Sequence, residues 1–162
     1  MRKIGFRGKT INLYKWAQKG DWVYGGIVLN RNDAISCITE NPFTGDMESI
    51  EVDSGSVGQC TGLQDVRGDP IYEGDIIRIE DEDSSTHINA VVCFGEYTKY
   101  DTGWFIHFGN ELNNKNKTIF NDSQYLNRSL RHELNFWLKN DKCCIIGNIY
   151  DNPDLEKEEE SD

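Results

Sequence analysis

No run of apolar residues in this 162-residue chain approaches the roughly 18 needed to span a bilayer. The N-terminal MRKIGFRGK also lacks the apolar stretch of a secretory signal. Both absences predict a soluble protein of the cytosol with no membrane contact. Cysteine pairs at C-x-x-C spacing are missing as well, and the five cysteines are an odd number. That argues against a disulfide framework. A zinc site would have to combine Cys37, Cys60, Cys93, Cys143 and Cys144 with His87, His107 or His132, and zinc-ligand spacing is absent. The cysteines read instead as small buried apolar residues, Cys93 and the Cys143–Cys144 pair lying in apolar strands. Four consecutive acids, Glu80 to Asp83, lack the spacers and turn glycine of a calcium loop and read as a solvated hairpin tip.

Positive charge is also scarce. The formal net charge is -11, and Asp151 to Asp162 carries -6 of it, with seven acids against one lysine. Such a segment buries too little apolar surface to fold, so 151–162 is expected to be a disordered acidic tail. The excess of acid disfavours phosphate backbones as partners, although Arg128, Arg131 and His132 form a local basic patch. Nor is there a nucleophile spaced with a base, or a pair of carboxylates set for acid–base work. The expectation is a protein that is not an enzyme, with no catalytic, cofactor-binding or metal-binding residues.

What the chain does hold is a glycine-punctuated β pattern. The stretch Val57 to Ile79 carries Gly58, Gly62, Gly68 and Gly74 at turn positions, then the β-branched run Ile76-Ile77-Arg78-Ile79. Before it, Arg2 to Tyr14 predicts two strands about a Gly8-Lys9 turn, and Gly20-Asp21 predicts a hairpin turn. Trp22 to Leu29 reads as a strand with a bulge or kink at Gly25-Gly26. Its Trp22 and Tyr24 share one face, expected to plug the core. Ala34 to Thr39 and Met47 to Val52 are further strands, and Asp53-Ser54-Gly55-Ser56 is the expected boundary between two packed subdomains.

His87 to Phe94 sets Ile88, Ala90, Val92 and Phe94 on one face, and Trp104 to Phe108 follows, across a loop bearing Tyr97 and Tyr100. Asn110 to Asn121 reads as an irregular excursion. Leu126, Leu130, Leu134 and Trp137 then recur on one apolar face, predicting an amphipathic helix over 123–139. It is expected to pack on its own sheet rather than form an interface, with Arg128, Arg131 and Glu133 on its other side. Cys143 to Tyr150 is the closing strand. About nine short strands with turn signals every ~8–12 residues and one helix favour a small β-barrel or sandwich.

Four ordered motifs carry a resemblance. Phe6-Arg7-Gly8-Lys9, Trp22-Val23-Tyr24-Gly25, VGQCTGLQDVRGDPIYEGDII (57–77) and Gly147-Asn148-Ile149-Tyr150-Asp151-Asn152-Pro153 are similar to motifs of the YopX family of bacteriophage and prophage proteins. The resemblance spans most of residues 4–153. It implies a mainly β protein whose C-terminal part is similar to an SH3-like barrel, and a homo-oligomer. It implies no activity, since none is established for the family. The matching positions are Arg7, Gly8, Trp22, Tyr24, Gly58, Gln59, Thr61, Gly62, Tyr72, Gly74, Asp75, Gly147, Asn148, Asn152 and Pro153. Their chemistry fits structural roles: Asp75 can bond its own turn, and Tyr72 can lay its ring on the barrel. Cys60 stands where the family has an aromatic residue, and the connection from Asn110 to Lys139 is longer than usual.

The expected organisation is an N-terminal β subdomain (1–55), an SH3-like β-barrel subdomain with the inserted helix (56–150), and the tail (151–162). The expected function is that of a non-enzymatic bacteriophage accessory protein in the host cytoplasm, binding itself and a host or phage protein without cofactor. The alternatives are a nucleic-acid-binding module through the SH3-like part, or an acidic mimic of DNA that captures a basic host factor.

Overall fold

The computed structural model describes residues 5–29, 35–40, 43–80, 87–96, 102–108, 133–140 and 142–156. The described strands are ten and all pairings between them are antiparallel, so the mainly β expectation holds. The chain divides into two compact units, Met1–Gly62 and Leu63–Asp162. Among the described residues no helix is long and apolar enough to cross a membrane.

The first unit holds β1 (Phe6–Lys9), β2 (Trp22–Leu29), β3 (Ile35–Glu40), β4 (Met47–Glu51) and most of β5 (Gly58–Gln64), in the order β4-β3-β2-β1-β5. Its core is Ala17, Val23, Cys37, Ile50 and Val52, one alternating face of the strands. The sheet curls so that its end strand β4 comes back to β1. Thr10, just past β1, bridges Val52, just past β4; Ile11 N–H donates to Glu51 O and Asp53 N–H to Lys9 O. This contact explains Gly8. A Cβ there would lie 2.8 Å from Val52 Cγ2, so Gly8-Lys9 is not the expected turn but the part of β1 that must press against β4.

Nor do Gly25 and Gly26 form a bulge. β2 keeps constant register and changes partner at this pair, with β1 opposite Trp22 to Gly25 and β3 opposite Gly26 to Leu29. Asp53-Ser54-Gly55-Ser56 lies inside this unit as a capped 3-10 turn (Ser54–Ser56). Ser56 Oγ accepts from Lys9 N–H and donates to Asp53 O, tying the turn back to β1.

The second unit begins with the end of β5, continues through β6 (Pro70–Tyr72), and builds the four-stranded sheet β10-β7-β8-β9 from β7 (Asp75–Glu80), β8 (His87–Glu96), β9 (Thr102–Phe108) and β10 (Lys142–Asn148). The described strands make an open sheet here, where the resemblance led us to expect an SH3-like barrel. One face supplies the core: Ile77, Ile79, Ile88, Ala90, Val92, Ile106 and Cys143 alternate inward in register.

Helix α1 (Leu134–Asn140) lays Leu134 and Trp137, three residues apart, on this face. The helix expected from 123 does not run continuously to that point, because Glu133 is extended and bridges Phe105. Leu126, Leu130, Arg128, Arg131, His132, Tyr97, Tyr100 and the acids Asp81 to Asp83 lie outside the described residues, as does 157–162. The start of the expected tail is ordered. Asp151 to Leu155 belongs to a turn and the 3-10 segment Pro153–Glu156, held by the asparagines described below.

Candidate interaction surface

The motif residues of the second unit are spent on loop construction. In the turn Tyr72–Asp75, Asp75 is 2% exposed and its Oδ2 accepts from Tyr72 N–H at 2.7 Å. Gly74 takes φ +81, a conformation that L side chains rarely adopt. Its N–H donates to Val92 O and its carbonyl accepts from Ile149 N–H, which joins this turn to β8 and to the end of β10. There Asn148 Oδ1 accepts from both Tyr150 and Asp151 N–H at 3.0 Å, an Asx-type turn. Asn152 N–H donates to Asn148 O, and its Oδ1 accepts from Asn148 N–H.

Gly147 follows a bulge at Ile146 in β10 and leaves room for this loop. A Cβ on it would meet Asn152 Oδ1 at 2.5 Å and Leu155 Cδ1 at 2.9 Å. Leu155 Cδ1 is the end of a flexible side chain, but Asn152 is tied to Asn148 through both its N–H and its Oδ1 and must give up a bond to move. Gly147→Ala is therefore expected to cost about 2 kcal/mol, read as a drop in the urea unfolding midpoint; no change at all would mean that the loop moves freely.

A buried carboxylate that the sequence pattern does not single out holds the β5–β6 connection. Asp65 Oδ1 accepts from Arg67 N–H and Asp69 N–H, each at 2.9 Å, and Oδ2 accepts from Ile145 N–H at 3.1 Å. The Arg67 guanidinium reaches the same carboxylate and donates to Ile145 O at 2.6 Å, while Val66 N–H donates to Cys143 O. Burial alone would push the Asp65 pKa up. The backbone donors of Ile145, Asp69 and Arg67 and the Arg67 side chain outweigh it, so the carboxyl titrates below its ordinary value. The spacing Asp65-Val66-Arg67-Gly68-Asp69 was the available signal, an acid followed by a glycine turn with φ +87 at Gly68.

In the first unit the motif residues do something different. Arg7 and Lys9 on β1 face Tyr24 and Trp22 across the ladder. The Arg7 guanidinium stands 4.6 Å from the Trp22 ring centre and Lys9 Nζ 5.5 Å from it, a cation–π stack on the side of the sheet away from Val23. Arg7 is buried beneath it, but Tyr24 is 50% exposed. The two aromatics share a face as expected, yet they do not plug the core, because the inward positions of β2 belong to Val23 and its alternates. Of the other motif residues, Gly58 pairs with Arg7 and Gln59 with Phe6, Thr61 is buried, and Gly62 takes φ +78.

Tyr24 has exposed apolar company that the sequence did not single out. Val28 shares its outward face of β2, and by register Met47 on β4 faces the same way. Val28 is 44% exposed and Met47 65%, while Leu29 at the end of β2 and Phe43 in the β3–β4 loop are more exposed still. Among the cysteines, Cys37, Cys60 and Cys143 are buried, and burial pushes the Cys37 thiol up to about 11. Among the described residues no three His, Cys, Asp or Glu side chains group as metal ligands.

The model of the family described as YopX protein matches residues 6–156, from the first residue of β1 to the last 3-10 turn. The chain belongs to the YopX family. The match takes in both units, so the glycine-punctuated turns, the asparagine loop and the cation–π stack all fall within the family's span. The crystal structure of protein EF1440 from Enterococcus faecalis is similar, with 19% sequence identity and a TM-score of 0.46 over 97% of this chain and 100% of that one. No curated protein matches the chain.

Proposed function

We propose that this YopX-family protein is a non-enzymatic accessory protein of a bacteriophage or prophage, acting in the host cytoplasm by binding other proteins, its own copies included. The observation that carries this reading is the set of outward apolar side chains on the sheet of the first unit, Tyr24, Val28 and Met47, in a unit that also exposes Leu29 and Phe43. Side chains of this kind concentrated on a small unit mark protein contact, and aromatic and methionine side chains are those enriched at interfaces. The buried carboxylates of the motif stretch support it too. Asp65 and Asp75 are engaged by backbone N–H groups and hold loops in place.

Sedimentation velocity across micromolar concentrations tests the self-association. The wild-type chain is expected to run as an assembly. Val28→Lys combined with Met47→Lys should weaken that assembly about tenfold or more, since placing two charges in an apolar contact costs well over the 1.4 kcal/mol that a factor of ten represents. A single-chain species at every concentration would overturn the oligomer. An assembly indifferent to both substitutions would move the contact elsewhere.

A further inference from the structure

We draw no further inference here: the strongest candidate outside the surface already described, the edge-on Phe94–Trp104 pair where β8 meets β9, with Phe94 exposed and the Trp104 indole N–H buried without an acceptor, carries nothing because the described residues do not show what covers it.

Discussion

Asp65→Ala is expected to lower the stability of the second unit by about 3–4 kcal/mol. The substitution strips the acceptor from three backbone N–H groups and one guanidinium at once. Leaving a buried donor unsatisfied costs about 1–3 kcal/mol. Arg67 and Asp69 are exposed enough to recover water, so most of the cost falls at Ile145. The damage also spreads along the sheet. With Asp65 gone, Arg67 keeps only its longer ion pair to Asp69 and the turn only its backbone bonds, so the contacts of Arg67 with Ile145 O and of Val66 with Cys143 O weaken and the edge of β10 loosens. Urea unfolding gives the energy, and amide exchange at Val66 and Ile145 should speed up together. A loss below about 1 kcal/mol would mean that the loop finds equivalent partners.

The same carboxylate makes a pH prediction whose sign follows from its lowered pKa. In the unfolded chain Asp65 titrates near 3.9; in the fold it keeps its charge to lower pH. As pH falls through that interval the unfolded state binds the extra proton, so stability drops. The contribution is fully present above the unfolded value and disappears once pH passes below the folded one. Asp65→Asn removes this dependence while keeping one acceptor oxygen. Its unfolding midpoint should start lower at neutral pH and then fall less than that of the wild type on acidification to pH 3. Parallel curves for the two proteins would contradict the assignment.

The strands were readable from alternation because the pattern and the burial coincide: Ile88, Ala90 and Val92 do face the core they predict. The turn glycines were readable only in part: Gly68 and Gly74 take the positive φ values that turns demand, whereas Gly58 lies in β5 opposite Arg7. What failed was any inference needing a partner distant in sequence. Gly8 looks like a turn glycine until Val52 is seen against it, and Glu133 fits the polar side of a helix until it pairs with Phe105. Trp22 and Tyr24 carry a strong prior for the core. Alternation fixes only that they share a face, and the choice of which face is buried was made by Val23 with Cys37 and Ile50. Asp65 was missed for the same reason: Ile145, its decisive partner, lies 80 residues away.

Gly8→Ala is expected to destabilise the first unit by about 2–3 kcal/mol, and this cost should be relieved by a second change at Val52. Gly8 has no positive φ, so alanine suits the backbone and the penalty is steric alone. The new methyl would sit 2.8 Å from Val52 Cγ2, 2.9 Å from its Cβ and 3.1 Å from Cγ1. Rotating Val52 offers no escape, because its Cβ itself is too close. Shifting its backbone is resisted on both sides, by Val52 N–H to Ile35 O and by Asp53 N–H to Lys9 O. Val52→Ala alone should cost about 2 kcal/mol as a cavity in the small core. In the double variant the methyl at position 8 occupies the space that valine gave up. The combined loss should then fall short of the two single losses added together by at least 1 kcal/mol, a coupling that contacting residues show and distant ones do not. Additive losses would mean that β1 and β4 do not press together at this point, and the curl of the sheet would need another cause.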